Sequence, residues 1–232
     1  MPSEFGDLYP GAEVVGTDIT PIQTPWVPPN VRFELEDANQ AEWSWPDNTF
    51  DFVHARELIG SIKDWPAFYR EAYRICKPGG YFEHFDNSCN IFADDGTVPD
   101  DSPISQYGKV MWEGGKKFGQ TFRIYEDDVQ KKGMEAAGFV DIVTRDYKVP
   151  FTPWPADPDL QEQGAWAKLA TMGDIHGTSA RLLCFSPLLV ALLHLYDTRL
   201  TSRRLYRICL EQPPRMEAGG NRGLHCPFPT TS

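Results

Sequence analysis

No apolar run in this 232-residue chain reaches the ~18–20 residues that a bilayer crossing needs. The longest, Leu182 to Tyr196, is broken by Ser186, Pro187 and His194. Excess positive charge is missing too. Against 33 Asp and Glu there are only 22 Lys and Arg, a net charge of -11. That balance argues against a direct nucleic-acid partner and against an anionic membrane surface. "MPSEFGDLYPG" at the N-terminus has no basic start and no apolar stretch. The expected location is therefore intracellular, cytoplasmic or nuclear. Cysteine is sparse and odd in number: Cys76, Cys89, Cys184, Cys209 and Cys226 suit reduced thiols, not a disulfide framework. The five histidines share no metal-ligand spacing, and Cys209, His225 and Cys226 make no zinc pattern, so no metal is expected. "GGKKFG" lacks the Gly-Lys-Ser/Thr ending of a phosphate loop. Lysine is absent beyond residue 178, where 7 Arg and 3 acids stand against 15 basic and 30 acidic residues before it.

What remains is a body, residues 1–178, and a tail of different composition, residues 179–232, rich in Arg, Leu and Pro. The tail is expected to pack poorly. The chain is 41% hydrophobic and 13% aromatic, enough for one α/β domain with a real core. Trp26, Trp43, Trp45 and Trp65 read as core and loop packing. In the body strands alternate with helices. Strand-like runs are Glu13–Thr17, Val31–Glu36 and Phe50–His54. A helix over Asp64–Cys76 follows, capped by Asp64, with Trp65, Phe68, Ala72 and Ile75 on one face. "KPGG", Lys77–Gly80, is expected to stop it. Tyr81–Phe85 reads as the next strand. Further helices are expected at Ile104–Phe118 (cap Ser102), Tyr125–Ala137 (stop Gly138) and Pro158–Met172 (cap Asp157). "FVDIVTRDYKVPF", from Phe139, reads as a strand. This alternation predicts a doubly wound, mostly parallel sheet.

Ligands of such sheets bind at the carboxyl ends of the strands, and three of those ends here are polar. In "EVVGTD", Gly16 lets the chain turn before Asp18, and an acidic residue there suits the two ribose hydroxyls of a nucleotide cofactor. Asp37 follows the second strand and could accept from an exocyclic amine. His54 and Arg56 end the third. His84, near the end of the next strand, has the chemistry of a general base for a hydroxyl or an amine, although a half-buried strand histidine is the plainer reading.

The runs "GTDITPIQ", "HAR", "IKDWP" and "KPGGYFE", together with "TPWPADPDLQEQGAW", resemble one family. It is the class I S-adenosylmethionine-dependent methyltransferases of fungi, in the subgroup related to the velvet-complex regulator of secondary metabolism. The likeness runs from about Tyr9 to about Ser179, so residues 1–178 are expected to be a methyltransferase-like domain. It implies S-adenosyl-L-methionine as cofactor. Asp18, with Ile19 beside it, matches the ribose site, Asp37 and Ala38 the adenine site, and His54, Ala55 and Arg56 the wall of the cofactor and reaction pocket. The first strand and glycine loop of the family would precede "YPGAEV"; the sheet is expected to lack both, leaving a gap between the Glu13–Thr17 and Phe50–His54 strands. The methyl acceptor is expected to be a small molecule or a protein, with a regulatory protein as a further partner. Two other readings are open: a non-catalytic binding module of the same fold, and a nicotinamide-dependent oxidoreductase, in which "HAREL" and "KPGGYFE" would have no role.

Overall fold

The computed structural model describes residues 2–174, apart from 22, 24, 25, 92, 95, 97 and 100, together with a strand at 205–207. Its elements run α1 (Pro2–Leu8), β1 (Val14–Asp18), β2 (Val31–Leu35), β3 (Phe50–Arg56), α2 (Trp65–Ile75), β4 (Cys76–Phe85), α3 (Pro103–Lys117), α4 (Val129–Ala137), β5 (Lys148–Pro150), α5 (Pro158–Asp174) and β6 (Leu205–Arg207). The class is α/β with parallel pairing, and among the described residues the expected gap between the first and third strands is present. β1 pairs with β2 in parallel, β3 pairs with β4 in parallel, and β5 pairs with β6 antiparallel. Among the described residues no strand lies between β1 and β3, so each pair keeps its own ladder. Apart from β6, the expectations for the tail fall outside the described residues.

Side chains do the joining that a ladder would otherwise do. The Phe5 ring of α1 stacks on Phe52 of β3 with 6.3 Å between centroids. Asn30, just before β2, donates from Nδ2 to the carbonyls of Gly6, Tyr9 and Ala12. It thereby satisfies carbonyls that the end of α1 leaves open. Gly16 is not at a turn, as the sequence suggests, but in mid-strand. The Phe33 ring of β2 lies across it, and an added Cβ would meet that ring at 2.4 Å.

α2 begins as expected. Asp64 Oδ1 accepts from the Ala67 N–H at 2.8 Å, and Pro66 sits where no N–H is needed. Its buried face carries Trp65, Phe68, Tyr69, Ala72 and Ile75, which form the core with Trp43, Ala55, Ile62 and Ile124. Large apolar side chains buried in this way contribute about 1.5–3 kcal/mol each. "KPGG" does not end the helix. Cys76 already turns extended, and Lys77–Gly80 bulge out of β4 between the pairings Phe50↔Cys76 and Phe52↔Tyr81. Pro78 has no N–H for the ladder, and Gly79 holds φ at 79°, so these residues break register rather than the helix.

Other expectations shift at their edges. α3 keeps Ser102 as cap and α5 keeps Asp157, whose Oδ1 accepts from the N–H groups of Asp159 and Leu160. α4 starts at Val129 rather than Tyr125, and Gly138 ends it at φ 109°. The long strand expected from Phe139 shrinks to Lys148–Pro150. Val140 and Val143 are 81% and 75% exposed, and among the described residues no strand pairs with them. Trp43 and Trp65 are buried, but Trp26 is 88% exposed rather than packed.

One ion-pair network fastens the β2–β3 connection to α2. Arg74 bonds Glu71 through Nε and Nη2, and donates to the Trp43 and Trp45 carbonyls and to Asp47. Glu71 also accepts from the Trp43 N–H at 2.8 Å. The Arg74 bonds hold the Glu71 carboxyl below its ordinary value of 4.5. A lowered carboxylate pKa stabilises the fold above the unfolded value and loses that effect as pH falls through the folded one. Glu71→Gln is therefore expected to cost about 1–3 kcal/mol at pH 7. In thermal unfolding against pH, the gap to the parent should close below ~pH 4. A gap of constant size would mean that charge is not the cause.

α4 lies on α2 where Gly133 meets Tyr69. An added Cβ there would stand 2.2 Å from the ring, and Tyr69 is 0% exposed. Gly→Ala in a helix ordinarily gains about 1 kcal/mol, but overpacking costs about 1–3 or more. The ring has nowhere to move, so Gly133→Ala is expected to be destabilising in urea unfolding.

Candidate functional site

The polar strand ends fall on two strand pairs. β1 and β2 run in register, with Asp18 opposite Leu35, and the Asp18 carbonyl accepts from the Glu36 N–H at 3.1 Å. Asp18 Oδ1 accepts from the Thr20 N–H at 2.9 Å, which fixes the turn after the strand. Ile19, the residue in that turn, is 68% exposed. Asp37 shapes the next turn, its Oδ1 accepting from Asn39 N–H and Nδ2. Asn39 then crosses to the other strand pair. It donates to the Ser61 carbonyl and accepts from the Lys63 N–H. Beside it opens a groove of about 170 Å³, lined by Ala38, Ala41, Asn39, Lys63, Ala67 and Phe68 among others. A second hollow of about 220 Å³ lies outside β1 and β2, between Pro21, Gln23, Phe33, Glu34 and Leu35.

The β3–β4 pair divides its side chains by face, as a pleated strand must. Val53, Ala55, Phe82 and His84 face α2. Phe52, His54, Arg56, Tyr81, Glu83 and Phe85 face the other way. Ala55 is buried in the core. Arg56 lies over the Phe85 ring at 5.1 Å and pairs with Glu57. His54 stands directly opposite Glu83 in the ladder, with Nδ1 and Oε2 2.7 Å apart.

His84 is not on the open side. Its side chain is 0% exposed and stacks on Trp65 at 5.2 Å. The Tyr69 hydroxyl lies 2.7 Å from its Nδ1, and Asp86 Oδ2 lies 3.3 Å from its Nε2. Both ring nitrogens are therefore engaged inside the core. Asp86 reaches further, accepting from the Leu58 and Asn87 N–H groups. The triad thus fixes the loop after β3 from beneath. Burial, reinforced by the Asp86 charge, pushes the Tyr69 hydroxyl well above its ordinary range.

Asn39, which lines the groove, and Glu83, Asp86 and Glu126, which hold neighbouring side chains and backbone groups, are residues that the sequence reading passed over. Glu126 accepts from Ser88 Oγ and Asn90 Nδ2. Beside it the Cys89 thiol is pushed up to about 12, by burial first and then by the Glu126 and Asp86 charges, so it is inert as a nucleophile. A signal for Glu83 was available: it is the one acid in "YFEHF", and period two sets it against His84.

The chain belongs to the Methyltransferase domain family, which matches residues 2–142. It is 34% identical over 180 residues to "Methyltransferase pytC" of Aspergillus terreus, covering 77% of this chain and 54% of that protein. It is 32% identical over 186 residues to "Secondary metabolism regulator LAE1" of Cochliobolus heterostrophus, covering 80% of this chain and 58% of that one. The chain thus spans a little over half the length of these relatives. Phosphoethanolamine N-methyltransferase 2 of Haemonchus contortus, solved in complex with S-adenosyl-L-methionine, is a looser likeness. It is 18% identical, with a TM-score of 0.42, over 85% of this chain and 42% of that one.

The role of His84 as a bridge has a direct test. Tyr69→Phe leaves His84 Nδ1 without its partner in a dry site and should lower stability by about 1–3 kcal/mol in chemical denaturation. An unchanged midpoint would show that the bond contributes nothing.

Proposed function

We infer that the chain binds S-adenosyl-L-methionine across the carboxyl ends of its parallel strands and serves methyl transfer. The observation that carries this is Asp18 at the end of β1 opposite Leu35, with Asp37 two residues past the end of β2 and a groove beside Ala38 walled in part by Ala41, Ala67 and Phe68. Asp18 would use Oδ2 for the ribose diol, since Oδ1 already holds Thr20, with Ile19 beside it. Ala38, Ala41, Ala67 and Phe68 suit a flat heteroaromatic ring, with Asp37 accepting from its amine. His54 and Arg56 would wall the reaction side, whereas Ala55, on the opposite face of the ladder, packs in the core beneath them. When bound, the cofactor supplies an electrophilic methyl group, so the protein's part is to position the acceptor and exclude water.

The acceptor is a secondary metabolite or a protein. Of the two relatives, one is named a methyltransferase and the other a regulator of secondary metabolism, which supports both this pairing and a regulatory protein partner. An intracellular site, cytoplasmic or nuclear, suits such roles. No described helix is long and apolar enough to cross a membrane. A second reading, a binding module without catalysis, is favoured by one feature: among the described residues β1 and β3 share no ladder and no strand lies between them. Cofactor binding separates the two. Asp18→Ala should lose about 2–4 kcal/mol, or ~30- to 1000-fold in affinity. Titration calorimetry showing equal affinity for both proteins would remove Asp18 from the site, and no binding by the parent would favour the module.

A further inference from the structure

The His54 ring poses a problem that folding alone leaves unsolved. Its Nδ1 is 2.7 Å from Glu83 Oε2, and the two side chains are only 23% and 18% exposed. A carboxylate can only accept, so the proton of the neutral ring sits on Nδ1, and the lone pair is left on Nε2. That Nε2 is buried, and among the described residues it has no hydrogen-bond partner. A buried acceptor left unpaired costs about 1–3 kcal/mol. A purely structural cross-strand pair would turn this nitrogen to water or to a neighbour. Here it is held still, shielded, and placed at the carboxyl end of β3, on the face that α2 does not cover. His84, on the covered face, differs in this respect: both of its nitrogens are engaged. The two histidines of adjacent strands are thus sorted by the sheet into a structural one and an available one.

We propose that His54 is the general base of this site and Glu83 its positioning partner, so that the methyl acceptor is a group bearing a proton, a hydroxyl or an amine, rather than a thioether. The inference rests on the methyltransferase reading above. In the step, the acceptor's O–H or N–H bond breaks and its proton goes to His54 Nε2. The electron pair released becomes the new bond to the methyl carbon, and the pair of the carbon–sulfur bond returns to sulfur. The imidazolium that forms lies against the Glu83 carboxylate, which stabilises it. A thioether acceptor has no proton to give up and would need no such base.

The test has two arms. The first needs no turnover: nitrogen-15 NMR of the histidine rings in the intact chain should show His54 protonated on Nδ1 and bare on Nε2. Glu83→Gln, whose side-chain amide can also donate, should abolish that preference. An Nε2–H tautomer in the parent overturns the proposal. The second arm follows S-adenosylhomocysteine release with three probes: resorcinol, phenethylamine and N-acetylmethioninamide. Release should depend on the hydroxyl or amine probe, and His54→Gln should slow it by about 10²–10⁴-fold with the affinity for S-adenosylmethionine within about twofold of the parent. Glu83→Gln should retain part of the rate. Turnover with the thioether alone, turnover with no probe by a chain that binds the cofactor, or a parental rate in His54→Gln overturns the assignment. A parent chain that binds no cofactor overturns the methyltransferase reading itself.

Discussion

The rest of the structure depends on a missing ladder. β1 and β3 make no backbone hydrogen bonds to each other, so two parallel pairs must be held together by side chains. Among the described residues several connections do this, including Trp45, which donates to Glu34 of β2 and packs on Phe50 of β3. At one side, Phe5 carries α1 from the β1–β2 pair onto Phe52. At the carboxyl ends, Asn39 spans from the turn after β2 to the segment before α2. Beyond the sheet, Arg74 gathers Glu71, Asp47 and two backbone carbonyls of the β2–β3 connection. Ladder bonds would fix register at every second residue. Side-chain ties fix it at scattered points, and several of them have more than one partner. Asn39 alone serves Asp37, Ser61 and Lys63.

The core is correspondingly one-sided. Trp43, Trp65, Phe68, Tyr69 and Ile75 crowd between α2 and the inner face of β3–β4. α4 adds to it through Gly133, where the absence of a Cβ lets the helix reach the Tyr69 ring. Tyr69, His84 and Asp86 on this face satisfy one another and the Leu58 and Asn87 N–H groups, while the Trp65 indole N–H is buried without a partner among the described residues. A buried polar chain of this kind is costly when half-satisfied and rigid when complete. Its effect is to set the height of the β3–α2 loop relative to the end of β4, and thus the floor beneath the strand ends.

The sequence was most legible where local chemistry decides. The caps Asp64, Ser102 and Asp157, the stop at Gly138 and the start of β2 at Val31 follow from residue type alone. The strand ends at Asp18, Asp37 and Arg56 were legible through period-two patterning and a turn residue beyond. Legibility failed where a neighbour decides. "KPGG" carries every mark of a helix stop, but the pairing of β3 with β4 claims Cys76 first and turns the four residues into a bulge. "FVDIV" is rich in β-branched residues like a strand, but a strand needs an edge to join, and among the described residues none pairs with it. α1 was missed because seven residues with a Pro and a Gly show no helical periodicity; only Asn30, more than twenty residues on, makes sense of it. His84 was read as a strand residue near a site, but which face it took depended on the register after the bulge.

That last point ties the bulge to the chemistry. Had Lys77–Gly80 stayed in the ladder, the pairing Phe50↔Cys76 would have run on evenly, and β3 would have met other residues of β4. With four residues set aside, Phe52 meets Tyr81 and His54 meets Glu83. The same shift turns His84 inward, to Tyr69 and the core, and Phe85 outward beneath Arg56. A glycine in the left-handed region and a proline without an N–H, neither of which touches the strand ends, thus select which carboxylate lies against His54. The outer face then carries an oriented imidazole and a cation over an aromatic ring, beside carboxylates from two neighbouring strands. The inner face carries none of these unpaired. The register thus puts the residues that hold the core and those of the outer face on opposite sides of the β3–β4 pair.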